Sequence, residues 1–363
     1  MHSVSRLRAP LVAAAASTAL LIVCGGAAHA APAVDGAAWL WADQPDATST
    51  YTPNGLYSYN SSGKGVTVTP VSTGVYKVNL PGLRSAGATN AMATAYGNSG
   101  YCVVQNWDAD VATVAVRVRC YDKDGKAANA RFTMLYQTPT AGFGDAETGL
   151  AFVLADQLKA DSYTPDATVS FNSTGGANTV IREKRGRYVV NLPGLTTIGG
   201  TVIVSAYGPN PTRCKVSDWG QDGDGTHAGV YCFDAKGAAA DSQFTLLYSR
   251  KSPVVHAANV RGVYAYGTKP TEADYTAPKT YAYNGITDQA LTIHHAGVGQ
   301  YSVAIPGISG IGQSGMLVSA VGADNAYCNV VGWTPLVTQC YGQGATTTPE
   351  SKFTTAFYEA DPK

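Results

Sequence analysis

Charge is what this sequence has least of. Asp, Glu, Lys and Arg make up 14% of 363 residues, and the two signs balance at 25 each. No net basic field exists to draw nucleic acid or anionic lipid. Yet 45% of the residues are hydrophobic, which argues against disorder, and the 40 glycines follow no triplet period, which excludes collagen. No apolar run after residue 30 is long enough to span a membrane. No amphipathic helical pattern follows that point either. Also missing are G-x-S-x-G, H-E-x-x-H and C-x-x-C, so three common routes to hydrolysis or zinc binding have no local signature.

What is present begins with an export leader over residues 1–30. Arg6 and Arg8 form its basic end, Leu11 to Val23 its short apolar run, and Ala28-His29-Ala30 a small-x-small cleavage site. Cys24 permits a lipoprotein reading, although Val23 before it is bulkier than usual. The reading adopted is a secreted, extracellular product with no membrane span after leader removal and no C-terminal sorting tail. Loss of Arg6 and Arg8 takes the basic count from 25 to 23 against 25 acidic residues, a formal charge of −2. Loss of Cys24 leaves six cysteines: Cys102, Cys120, Cys214, Cys232, Cys328 and Cys340. An even set in local pairs, in an oxidising compartment, predicts disulfides 102–120, 214–232 and 328–340.

The dominant signal is a threefold internal repeat. Tyr76-Lys77-Val78-Asn79-Leu80-Pro81-Gly82-Leu83 recurs from Tyr188 to Leu195 and again from Tyr301 to Ile308, at offsets of 112 and 113. An Ala-Tyr-Gly block precedes the cysteine pair at 95–97 and 206–208. Each first cysteine stands five residues before a tryptophan, Trp107, Trp219 or Trp333. The copies occupy 31–137, 149–250 and 260–363, with linkers at 138–148 and 251–259. Units of this length are domain-sized, so three independent beads are expected, with both linkers exposed.

Inside each copy the apolar period is two, as in Val66-Val68, Tyr76-Val78-Leu80 and Val114-Val116-Val118, and Gly, Pro, Asn and Asp clusters break the runs. The expected fold is all-β: three tandem antiparallel β-sandwich or barrel-like repeats, each with one internal disulfide. Each cysteine pair is expected on neighbouring strands, with its tryptophan packed over the bridge. The Y-x-V-x-L-P-G-L and A-Y-G…C-x-x-x-x-W blocks, with the leader, give the chain its family likeness. It resembles uncharacterised secreted β-rich repeat proteins of high-GC Gram-positive bacteria, over the leader and all three copies. That resemblance implies export and β-structure and carries no activity.

Candidate site residues come from recurring aromatic and amide columns. Tyr51, Tyr163 and Tyr275 recur at offsets of 112, followed by Asn60, Asn172 and Asn284, each preceded by Tyr59, Phe171 or Tyr283. Aromatic faces stack on sugar rings and amides bond hydroxyls; the competing reading is core rings and turn-starting asparagines. Asp218, Asp222 and Asp224 form an oxygen-rich loop that could hold calcium or simply cap a hairpin, and the twelfth-position Glu of an EF-hand is missing. His227, near Asp222 and Asp224, is a conceivable base. Gly310-Ile311-Gly312-Gln313-Ser314-Gly315 matches a dinucleotide loop in letters, but a strand-like segment follows where a helix is required. No catalytic residue and no cofactor is assigned. The function expected is non-catalytic, multivalent recognition of extracellular polysaccharide or a cell-wall polymer. The alternatives are a structural or surface-layer role, a protein-partner or inhibitor role, and a secreted hydrolase with a carboxylate-based site.

Overall fold

A computed structural model describes residues 36–84, 87–109, 113–139, 148–308, 312–333, 335–342 and 349–360. Copy one supplies β1 (Ala37–Ala42), β2 (Ser58–Asn60), β3 (Thr67–Ser72), β4 (Val75–Pro81), β5 (Asn90–Tyr96), β6 (Tyr101–Ala109), β7 (Thr113–Tyr121) and β8 (Arg131–Gln137). Copy two supplies β9 (Gly149–Ala155), β10 (Ser162–Tyr163), β11 (Ser170–Asn172), β12 (Thr179–Lys184), β13 (Arg187–Pro193), β14 (Thr201–Tyr207), β15 (Arg213–Gln221), β16 (Gly225–Phe233) and β17 (Gln243–Arg250). Copy three supplies β18 (Val260–Gly267), β19 (Asp274–Thr276), β20 (Ala282–Asn284), β21 (Thr292–Gly297), β22 (Gln300–Ala304), β23 (Ser314–Val321), β24 (Tyr327–Gly332), β25 (Leu336–Tyr341) and β26 (Lys352–Ala360). Two single-turn 3-10 segments, Gly55–Tyr57 and Lys279–Tyr281, are the only helical elements among the described residues.

Each copy is a two-layer sandwich, as the alternating pattern predicts. Its inner sheet runs β2-β1-β8-β5 in copy one, β11-β9-β17-β14 in copy two and β20-β18-β26-β23 in copy three. Its outer sheet runs β3-β4-β7-β6, β10-β12-β13-β16-β15 and β19-β21-β22-β25-β24. In copy one, Leu40, Ala93, Phe132 and Met134 of the inner sheet interdigitate with Val78, Val116 and Val118 of the outer sheet, all buried.

The copies are not independent beads. Every inner sheet continues into the outer sheet of another copy through one short parallel junction. Tyr207 of β14 pairs with Val104 of β6, Val321 of β23 with Val216 of β15, and Tyr96 of β5 with Val330 of β24. Copy one thus meets two, two meets three and three meets one, a heterologous contact that closes after three steps. The three composite sheets hold nine, nine and eight strands. The described residues all fall in one compact unit.

Burial explains the closure. β7 alternates buried and half-buried positions, as a sheet with one wet face should. β9 and β23 are buried at every position. Their second face meets the other two inner sheets about the pseudo-threefold axis, where Trp39, Met92, Phe152, Ile203, Leu317 and Tyr358 form one cluster. Linker 251–259 departs from expectation for the same reason. Val254, Val255 and His256 are 1–2% exposed, and both valines belong to this central cluster. Linker 138–148 falls outside the described residues apart from Thr138, Pro139 and Thr148.

The three disulfides form as expected, Cys102–Cys120, Cys214–Cys232 and Cys328–Cys340. Each joins directly opposed residues of a hairpin, β6/β7, β15/β16 or β24/β25.

Candidate functional site

The Tyr51 column closes loops. Tyr51, Tyr163 and Tyr275 pair through their backbones with Val68, Val180 and Ile293, and their rings rest on the core of their own copy. The Tyr163 hydroxyl accepts the Gln157 backbone N–H at 3.2 Å, and the Tyr275 hydroxyl that of Lys269 at 3.2 Å. Burial pushes all three phenols up, Tyr163 to about 12. The asparagines serve turns. Asn60 Nδ2 donates to the Pro81 carbonyl at 2.9 Å and Asn172 Nδ2 to that of Pro193 at 3.0 Å, tying the end of the inner sheet to the Leu-Pro-Gly turn. Their Oδ1 atoms accept from the backbone of Ser62 and Thr174. Asn284 closes its own turn, donating to Gln289 O at 2.9 Å and accepting from Ile286 and Thr287. Between the two columns, Tyr59, Phe171 and Tyr283 face Trp39, Phe152 and Tyr264 across the strand pair, with ring centroids 4.3, 5.6 and 5.6 Å apart.

The tryptophans do not cover the disulfides. Five positions along the chain from its cysteine, each ring lies at the seam with another copy. Trp107 meets Tyr207 edge-on at 5.3 Å; Trp219 lies 4.7 Å from Tyr266 and 5.6 Å from Tyr281; Trp333 stacks on Tyr57 at 5.2 Å and Tyr96 at 5.9 Å. Beside them the glycine of each A-Y-G or A-V-G block donates across the junction: Gly97 to Val330 O, Gly208 to Val104 O and Gly322 to Val216 O, at 2.9–3.0 Å. All three have positive φ, 82°, 103° and 129°, which turns the chain out of one composite sheet toward the other.

The acidic loop is a hairpin tip. Asp222 Oδ1 accepts the backbone N–H groups of Asp224 and Gly225, both at 3.1 Å, and these bonds hold its carboxyl below the usual range. Asp218 sits on β15 beside a bulge and accepts from Ser217 Oγ at 3.0 Å. No group of three metal-ligating side chains occurs among the described residues. His227 Nδ1 is 3.8 Å from Asp222 Oδ2 on an exposed surface. Residues Gly310 and Ile311 of the glycine motif lie outside the described residues, and Ser314–Val321 is strand.

Two concave features of the described residues bear on ligand binding. At the seam of copies one and three, loops 52–56 and 61–66 with residues 257–259 bound a groove of about 960 Å³. Its lining includes Leu56, 56% exposed, the half-buried Tyr59 ring backed by Trp39, and the polar groups of Ser58, Asn259 and Gln313. Gln313 Nε2 donates to Ser58 O at 2.9 Å and braces the floor. Lys64 is the only charged side chain among the described lining residues. A separate pit of about 40 Å³ in copy two, bounded by Gly149, Thr174 and Gly194, shares only the Gly36/Gly149 position with the groove.

The second feature is a cavity of about 50 Å³ on the pseudo-threefold axis, lined by equivalent residues of all three copies. The residue before each first cysteine is Tyr101, Arg213 or Tyr327; the residue after it is Val103, Lys215 or Asn329. Arg213 and Lys215 are 5% and 2% exposed, although nothing in the repeat pattern marks them as buried. Lys215 Nζ lies 2.5 Å from Asp324 Oδ1, and burial pulls its amine down despite that carboxylate. The only sequence signal for this cavity is that Arg213 breaks a column of tyrosines.

Against known proteins, no family model, no curated protein and no solved structure matches this chain.

Proposed function

We propose that the protein is an exported, non-catalytic binding protein whose site is the groove between copies one and three, and whose ligand is an uncharged, hydroxyl-rich chain such as a segment of extracellular glycan. The observation that supports this reading is the groove's chemistry. Its volume falls in the range of ligand sites, and it offers an aromatic face, an exposed leucine, hydroxyls and amides with a single charge among its described lining. Sugar rings present apolar C–H faces and hydroxyl edges, which such a lining complements. Three disulfides and the lack of a membrane-crossing helix among the described residues are compatible with an extracellular setting.

The valency differs from the sequence expectation. The tyrosine and asparagine columns are spent on loops and turns, so the triplication builds the scaffold and the ligand meets one groove. Calorimetric titration of the mature chain with oligosaccharides from wall and plant polysaccharides tests this. One site per chain, little response to salt, and loss of binding in Leu56→Asp and in Gln313→Ala are expected. Three sites per chain, or full binding by both variants, overturns the reading.

A further inference from the structure

The axial cavity holds a buried cation that forms no ion pair among the described residues. Arg213 extends from the start of β15 into a gap where copies one and three place Tyr101 and Tyr327. Its guanidinium lies over both rings, 5.2 Å from the Tyr101 centroid and 4.5 Å from that of Tyr327. Nη2 donates to the Asp234 carbonyl at 3.3 Å. The Tyr327 hydroxyl also interacts with the guanidinium, while Nε and Nη1 are buried and meet no well-aligned acceptor among the described residues. Among the described lining side chains, Arg213 alone has such atoms. Ser205 and Ser319 donate to Ala93 O and Val204 O, Thr212 pairs with Ser242, and Asn329 donates to the carbonyls of Asn98 and Gly100.

No carboxylate of the described residues pairs with Arg213: Asp234, whose carbonyl takes Nη2, turns its carboxylate to the backbone N–H groups of Lys236 and Ala238. Asp324 is taken by Lys215. On the copy-one turn, Asp122 accepts from the backbone of Asp124 and Lys126, and Asp124 pairs with Lys123. A guanidinium cannot shed its proton to escape burial, and an uncompensated buried charge is strongly unfavourable. Aromatic faces offset only part of that.

We infer that the axial cavity is an anion site, taking one small monovalent anion, of halide to formate size, on Nε and Nη1 of Arg213. The charge follows from the pairing: Lys215 is matched by Asp324, while Arg213 forms no ion pair with a carboxylate of the described residues. The size follows from the cavity, whose roughly 50 Å³ accommodates about three to four water-sized spheres. Bound there, the anion touches residues of all three copies and links closure of the ring to the ionic medium.

The test uses the full mature chain. Melting temperature is followed as sodium chloride or formate replaces sodium gluconate at constant ionic strength, and crystals soaked in bromide are searched for anomalous scattering. A saturable rise in melting temperature and a bromide peak in hydrogen-bonding reach of Nε are expected. Arg213→Tyr restores the residue of the other two copies and should fold; it should lose both signals. Arg213→Lys should keep a weaker response. A flat melting curve with no bromide peak, or an unchanged response in folded Arg213→Tyr, overturns the assignment.

Discussion

The inner and outer sheets come from the same repeat and face different burial problems. β7 and β13 of the outer sheets alternate between buried and half-buried positions, while β9 and β23 of the inner sheets show no exposed position. A sheet buried on both faces needs a partner on each. The outer sheet of the same copy is one partner, and the inner sheets of the other two copies are the other. The difference teaches that a single repeat does not cover both faces of its own inner sheet. Local stability and ring closure reside in opposite faces of the same strands.

The most severe way to break this contrast is to remove two copies. A fragment 149–250 would expose Leu150, Phe152, Ile203 and Leu247 together and leave two junction strands unpaired, so it is expected not to fold. The intact chain should melt in one calorimetric transition. A soluble, folded fragment, or three separable transitions, would contradict the composite architecture.

Next in size is truncation on the axis-facing side. Phe152→Ala should cost about 3–5 kcal/mol in denaturant unfolding, the usual range for a buried phenylalanine, because Phe152 is 0% exposed in the central cluster. Removing one bridge by Cys214→Ala with Cys232→Ala should cost about 3 kcal/mol, on the chain-entropy estimate for a loop of this length. The fold should survive, since β15 and β16 keep their other pairings.

His256 sharpens the contrast through pH. It is 2% exposed beside the central cluster, and desolvation lowers its imidazole to about 4. The unfolded chain therefore takes up the proton first, near the usual 6.5. Stability is full above that value and falls as pH drops from about 6.5 to 4, by up to about 3 kcal/mol. Urea unfolding of wild type and His256→Asn across this window should converge as pH falls; parallel curves would argue against a buried neutral imidazole. The smallest effect belongs to the outer face. Lys77→Ala, on an exposed position of β4, should stay within about 0.5 kcal/mol.

Much of the fold was legible because its signals are local. Alternation marked the outer strands, the even cysteine set marked the bridges, and Pro81-Gly82 with its repeats marked a turn. The asparagine column was legible as turn-starting, but not its partner, the Pro81 or Pro193 carbonyl 21 residues away. The A-Y-G and C-x-x-x-x-W blocks were visible as motifs, but the tryptophans were expected over the disulfides and lie at the seams. Spacing shows that Trp219 lies five residues from Cys214, and says nothing of Tyr266 in another copy. The groove was missed because Leu56, Asn259 and Gln313 belong to no repeated motif.

By itself the sequence determined the repeat, the strand period, the pairing of cysteines and the turn chemistry, since each depends on neighbours within about a hundred residues. Only the tertiary structure decided that the copies close into a ring, that Val254, Val255 and His256 are core, and that Arg213 lies buried on an axis. These depend on which apolar faces and strand edges of different copies meet. A strand with two apolar faces states that it must be covered twice; it does not name the surface that covers it.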